Sequence, residues 1–431
     1  MKQLTMLFLL VIVGVLVSSL FTIFAEASMM WSRTYGGDGM DICVSSFQTG
    51  DGGVVLFGHS YSFGSGVCWL VKADAEGDMQ WNKTIDWGSS CVQTNDGGFI
   101  FVGTDAFTFE GYIPVGQLPD GFWSYVWLAK TDEHGNMEWN QTYDAEVGHF
   151  NGASVTQTSD GGYALLGNSF SSIGDSDDFL LIKTDSLGNK EWSKLYNYSE
   201  PDRASGLIQT HDGGFVFIRT LSTKFNGFAG FLVMKTDSVG NVEWNQTDLN
   251  MQNVHSFVQV FDGSLVFAGY SRSLDYQSFD FCMTKLDSAG NVEWTKSYGL
   301  HNMVRFPTVI HTSDGGFAVA SYVVRPDDDR LSDFLLIKTD EHGKMQWNQT
   351  FIGNALLGYP SLFQTMDGDY ILSGALGSWE TGDYDFWLIK AQTLDEPSSP
   401  SLMLFIFVII VISALIVLLV YSVTRKLAKK S

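Results

Sequence analysis

Three observations predict an all-β chain, folded as a seven-bladed β-propeller. First, an Asp recurs at Asp51, Asp96, Asp160, Asp212, Asp262, Asp314 and Asp367. A Lys recurs at Lys72, Lys130, Lys183, Lys235, Lys285, Lys338 and Lys390, and a Trp at Trp31, Trp81, Trp139, Trp192, Trp244, Trp294 and Trp347. One unit therefore occurs seven times, mostly at a period of 50 to 53 residues, and periods near that length mark propellers or solenoids. Second, each unit carries hairpin signals between short apolar runs, and helical periodicity is absent from the body. Third, the array opens on an isolated strand, Met30–Tyr35, and ends on a unit that stops at Lys390 without a following Trp. The first strand can complete the last blade, which closes the ring and removes its open edges.

Each unit reads as four strands, A to D. Strand A ends at Gln-Thr, and an Asp-Gly-Gly turn follows, where Gly takes the positive φ of a tight hairpin. Strand B is apolar, as in Phe215–Ile218. A polar loop leads to strand C, such as Phe334–Lys338, and a second hairpin, such as Asp340–Lys344, leads to strand D with its Trp. In the units that hold both, Lys and Trp lie nine residues apart, as at Lys183 and Trp192. A fixed hairpin explains that constancy. Strands B and C are apolar on both faces, which suits sheets packed blade against blade. Each Trp is expected to pack between blades. The repeated Lys is expected to be a strand-end partner for a neighbouring Asp, because seven copies cannot be one catalytic residue.

The phrase Gln-Thr-x-Asp-Gly-Gly followed by Lys-Thr-Asp-x-x-Gly-Asn-x-x-Trp is clearest at Gln157–Gly162, Lys183–Trp192 and Lys235–Trp244. It resembles the repeats of secreted β-propeller proteins of archaea and bacteria, over roughly Met30–Ala391. The resemblance implies the fold and no particular activity. Departures fall at Gln259–Ser264 and Met366–Asp369. The second hairpin also looks like the Asp-box of sialidases and the Trp-docking turn of quinoprotein dehydrogenases. The spacing from Asp185 to Trp192 fits neither, and neither activity carries over.

The two ends place the chain at a membrane. Residues 1–27 read as a signal peptide: Lys2, an apolar run over Leu4–Phe24, and the small-x-small site Ala25-Glu26-Ala27. Residues 28–392 form the ectodomain and 393–401 a polar linker. Leu402–Val423 carries no charge and reaches about 33 Å at ~1.5 Å per residue, enough to span a ~30 Å hydrocarbon core as one transmembrane helix. Arg425, Lys426, Lys429 and Lys430 follow in a basic tail, 424–431, which the positive-inside rule keeps cytoplasmic. The propeller is then extracellular on a single-pass anchor. Sequons at Asn82, Asn140, Asn197, Asn245 and Asn348 are candidate glycosylation sites.

Composition excludes several functions. A net charge of −23 repels phosphate backbones, so nucleic acid is not an expected partner. The eight His show no paired zinc spacing, and no GxSxG element is present. Cys43, Cys68, Cys91 and Cys282 share no CxxC spacing; Cys43 and Cys91 can pair or stay reduced. No catalytic residue is assigned and no cofactor is expected. Ca²⁺ is the one ion considered, at the acidic loops with Asp175, Asp177, Asp327, Asp328 and Asp329.

Function usually sits on variable loops above a rigid scaffold, and here variation concentrates in the B–C and D–A connections. Blade two has the longest of these, with 34 residues from Asp96 to Lys130. The extra length, Asp105–Ser124, carries Phe107, Phe109, Glu110, Tyr112, Asp120, Phe122 and Trp123, the candidate ligand-binding residues. Exposed aromatics beside carboxylates stack on sugars or grip a protein. The leading expectation is a non-catalytic binding or scaffold module for a glycan or surface protein. The alternatives are an extracellular polysaccharide hydrolase or lyase and a structural cell-envelope component.

Overall fold

The structure, a computed structural model, describes residues 27–393 apart from 65, 86–87, 106, 109–110, 113–124, 145–148, 171–176, 197–201, 222–229, 248, 250, 252, 273–278, 300–303, 326–327, 354 and 379. The predicted signal segment up to residue 26, the linker from residue 394 onward and Leu402–Val423 lie outside these residues. No helix among the described residues is long and apolar enough to cross a membrane.

Met29–Ala391 is one compact unit, built from seven antiparallel four-stranded sheets. Blade three shows the plan: His149–Gln157, Tyr163–Phe170, Asp177–Thr184 and Lys190–Tyr196 follow one another as strands A to D. The A strands of the others are Asp41–Gln48, Ser90–Gln93, Asp202–Gln209, Asn253–Gln259, Val304–His311 and Ala355–Gln364, in blades one, two, four, five, six and seven. Blade seven takes its fourth strand from the start of the chain. Ala27–Tyr35 adds to Tyr384–Thr393, so the expected closure is present.

The A–B turn explains the Asp, the Lys and both glycines. In blade three, Asp160 Oδ1 accepts from Thr158 Oγ1 at 2.6 Å and from the Gly162 amide at 2.9 Å. Only the first glycine, Gly161 at φ 86°, needs the left-handed region. The second has a different cause. A Cβ on Gly162 would lie 2.1 Å from the Thr184 carbonyl and 2.7 Å from Lys183 Nζ. The space is kept for the ammonium, which donates to Thr184 O and Asp160 Oδ2 at 2.8 Å and to Glu191 Oε2 at 3.0 Å. Three protons meet three acceptors, so a Lys only 4% exposed is fully satisfied.

All seven Lys pair with the Asp of their own blade. Blades five and seven carry Ser264 and Asp369 in place of the second glycine. There Lys285 and Lys390 are pushed out to 14% side-chain exposure, against 3–7% elsewhere. These two also make no bond to the carbonyl that follows them, which the other five do.

These pairs set an acid limit on stability. The Thr49 hydroxyl, with Gly53 and Lys72, holds Asp51 down at about 2. At Asp160 burial opposes ionisation, but hydrogen bonds from Lys183, Thr158 and Gly162 outweigh it and again hold the carboxyl at about 2. A carboxyl depressed on folding gives stability that is complete above its unfolded value, about 4, and is lost as pH falls toward the folded value. Thermal stability should therefore fall between about pH 4 and pH 2. The gap in Tm between the native chain and Asp160→Asn should narrow over that interval; a constant gap would contradict this assignment.

The C–D turns lock each blade to its neighbour. Asp185 Oδ1 accepts from the Leu187 and Asn189 amides at 2.9 and 2.8 Å, and Gly188 takes a φ of 80°. The α-carbon of that glycine faces Trp139 of the preceding blade, where an added Cβ would sit 2.7 Å from the ring. Gly77, Gly135, Gly240, Gly290 and Gly343 face Trp31, Trp81, Trp192, Trp244 and Trp294 in the same way. At four seams the turn carbonyl accepts from a Tyr of the preceding blade four residues after its Trp, as Tyr143 Oη to Gly188 O at 2.6 Å and Tyr196 Oη to Gly240 O at 2.7 Å. The apolar clusters straddle the seams as well: Leu166, Phe179 and Leu181 of blade three pack with Leu207, Phe215 and Phe217 of blade four.

A second set of links joins the A–B turns. At five seams the Gln ending strand A accepts the turn amide of the preceding blade, as in Asn95 N to Gln157 Oε1 at 2.8 Å and Ser159 N to Gln209 Oε1 at 2.7 Å. Met366 N to Gln48 Oε1 at 3.2 Å repeats this contact across the closing seam.

Candidate functional site

The blade-two insertion has a defined stem. Phe107–Thr108 pairs with Gly111–Tyr112, which sets Phe107 opposite Tyr112 in a small hairpin. Phe109, Glu110, Asp120, Phe122 and Trp123 lie outside the described residues, as do Asp175, Asp327 and Asn197. Asp177 and Asp329 lie within strands Asp177–Thr184 and Asp328–Thr339. Asp328 is held by Arg330, with Nε and Nη2 each 3.0 Å from a carboxylate oxygen. No group of three His, Cys, Asp or Glu among the described residues is placed to hold a metal ion. Asn82, Asn140, Asn245 and Asn348 are exposed on D strands, the outer strands of their blades. The four cysteines are buried free thiols.

Two acids of this unit invite a catalytic reading. Asp385 Oδ1 is buried without a hydrogen-bond partner, and burial, with Asp383 and Asp41 nearby, raises its carboxyl above the usual range. Asp41 is fully buried and accepts from Ser62 Oγ at 2.8 Å and the Gly37 amide at 3.1 Å. A Cβ on Gly36 would lie 1.7 Å from Asp385 Oδ1 and 2.8 Å from Asp41 Oδ2. Both carboxylates therefore press on backbone at the closing seam and leave no room there for a substrate atom. Asp333, at the corresponding place in blade six, is neutralised by Arg325 at 2.6 Å and caps the Gly353 amide at 2.9 Å.

A different group is open to solvent. Strands A line up side by side around the ring, as Val309 N to Ser256 Oγ at 3.2 Å and Thr308 Oγ1 to Pro360 O at 2.6 Å show for blades five to seven. In most blades the A–B register shifts by one residue at the same level; in blade five the extra residue is His255. Blade six inserts Phe306 and Pro307, and blade seven Gly358, Tyr359 and Pro360. Proline lacks the ladder donor and is tolerated in sheets at such bulges.

These bulges assemble an aromatic cluster early in strand A, in the half nearer the D–A connections. Phe306 meets Tyr359 at 4.7 Å and His255 at 5.2 Å, both edge to face. His255 shares a 3.0 Å hydrogen bond with Tyr270, and burial lowers its ring to about 4, so it is neutral near pH 7. Tyr359 is 52% exposed. Phe306 has φ 53°, the one positive value outside glycine among the described residues. A bulky residue there costs about 1–3 kcal/mol, and such strain gathers at ligand sites. Its members are two aromatic rings and a neutral imidazole, so the cluster offers ring faces rather than acid–base chemistry.

Sequence reasoning passed over this cluster, although a signal exists. Phe306-Pro307-Thr308 and Tyr359-Pro360-Ser361 repeat an aromatic-Pro-hydroxyl triplet 53 residues apart, at the spacing of Asp314 and Asp367.

No family model matches the chain, and no curated protein matches it. Solved structures do. The chain is similar to the WD40 domain of Pan2 from Neurospora crassa at TM-score 0.51 and 11% identity, covering 86% of this chain and 97% of that one. It is similar to BBS1N in complex with ARL6DN at 0.51 and 8%, covering 86% and 98%. A fungal alcohol oxidase in complex with copper gives 0.52 and 10%, covering 86% and 76%. At such identities the likeness is one of fold alone.

Proposed function

We propose that this chain is a membrane-anchored, cell-surface β-propeller acting as a non-catalytic binding or scaffold module. Its ligand is a glycan or a surface protein, held on the face of the B–C and D–A connections. The observation that carries the reading is the half-exposed Tyr359, braced by the strained Phe306, which neutral His255 backs in turn. Ring faces fixed before the ligand arrives lose little freedom on binding and suit sugars and protein side chains alike. The hairpin stem, Phe107–Thr108 with Gly111–Tyr112, belongs to a B–C connection, the kind of connection that shares this face. Exposed sequons on the outer strands suit an extracellular domain.

The test is binding of the full-length chain, in nanodiscs, to an array of glycans and envelope extracts. Tyr359→Ala should weaken binding by about tenfold or more, and a chain shortened across Asp105–Ser124 should also lose ligand. Binding that both variants retain in full would sink the assignment. Turnover of an arrayed polysaccharide would replace it with the hydrolase or lyase reading.

A further inference from the structure

The A–B turn face holds a feature that the ligand reading leaves unused. The residue before the turn Asp is Gly50, Asn95, Ser159, His211, Phe261, Ser313 or Met366. Five of these are small or polar, but Phe261 is 86% exposed and Met366 81%. They stand on blades five and seven, either side of blade six. An open hollow of about 610 Å³ is lined by Met366, by His311, which Phe261 meets, and by Val258, Ile310 and Phe363 from the ends of three neighbouring A strands.

Blade six departs from the pattern at this spot too. Its strand A ends in His311, where the other six blades carry Gln. The amide-to-Gln link of five seams has no counterpart here; Phe261 meets the His311 ring edge to face at 5.2 Å instead. Neither Phe261 nor Met366 is needed for the turn, since Ser159 and Ser313 hold the same position in blades three and six. Large apolar side chains left this bare, beside an apolar floor, mark a contact surface.

The charge around the hollow selects the partner. Asp262, Asp314 and Asp367 are 53–62% exposed at the three turns. Lys285 faces both Asp262 and Glu293, and Lys390 both Asp367 and Asp369, so each flanking blade has two carboxylates to one ammonium. An apolar seat with an acidic rim matches an apolar side chain set among basic ones. We infer that this hollow, with Met366 in its wall and Phe261 beside it on His311, is a second binding site, for a basic peptide segment with one large apolar anchor.

The probes are a short peptide with a central tryptophan flanked by lysines and its counterpart flanked by glutamates. Each is titrated by fluorescence anisotropy against the full-length chain in nanodiscs. The lysine peptide should bind, the glutamate peptide should not, and added salt should weaken binding. Phe261→Ser combined with Met366→Ser should lower affinity by about tenfold or more, while array binding that depends on Tyr359 stays unchanged. Failure of the lysine peptide to bind, equal binding of both peptides, or binding untouched by the double variant would overturn the inference. Self-association that the double variant abolishes would overturn it too, and would give the hollow to a second copy of this chain.

Discussion

A chain lacking Met29–Tyr35 is expected to lose the cooperative thermal transition of the native protein. That strand carries Trp31 and Tyr35, which pack with Val54, Trp69, Phe386 and Leu388 across the seam of blades one and seven. Tyr35 Oη donates to Gly77 O at 2.6 Å, the link that other seams make with Tyr143 and Tyr196. Without the strand, Tyr384–Thr393 keeps Tyr370–Gly377 on one side only and its other edge lies open, and an exposed edge invites pairing between chains. The expected observation is a broad melt with aggregation. A synthetic peptide covering the missing strand should restore the sharp transition, and a deleted chain that melts like the native one would show that the ring does not depend on its clasp.

Trp69→Ala should cost about 3–5 kcal/mol, the range for emptying a core site of an indole. Trp69 is 1% exposed and lies in strand C of blade one. Its ring meets Phe386 of blade seven at 4.9 Å and Phe63 at 4.8 Å, and its Nε1 donates to Asn82 Oδ1 at 3.3 Å. Trp127 and Trp387 hold the same strand-C position in blades two and seven, but Trp69 is the largest fully buried side chain among the described residues. The check is the shift in urea midpoint. A shift no larger than that of a surface Tyr61→Ala control would contradict the packing account.

Repetition made the scaffold legible. The count of blades, the hairpins, the Lys–Asp pairing and the clasp follow from residues that recur in register, because the same local physics operates seven times. The second glycine was read as part of the turn, whereas its cause is the approach of Thr184 O and Lys183. That approach joins residues of two strands and appears only once the register is known. The Gln and Tyr links between blades were missed for the same reason: each joins neighbouring units, and a repeat read one unit at a time does not show it.

The binding cluster was harder to see because it breaks the repeat. Tyr359 and Phe306 gain their positions from bulges that set three residues of strand A against one of strand B in blade seven and two against one in blade six, and a short insertion in an apolar strand looks like ordinary variation. Length drew attention to Asp105–Ser124 instead. Of its candidate residues, Phe107 and Tyr112 fall on the hairpin stem.

Hydrogen exchange on the full-length chain, with and without the ligand that the array identifies, tests the central claim most directly. The account predicts new protection at 253–257, 304–308 and 357–361, the segments that carry His255, Phe306 and Tyr359. Protection confined to the A–B turns, or spread evenly over the seven blades, would contradict a ligand site on these bulged strands.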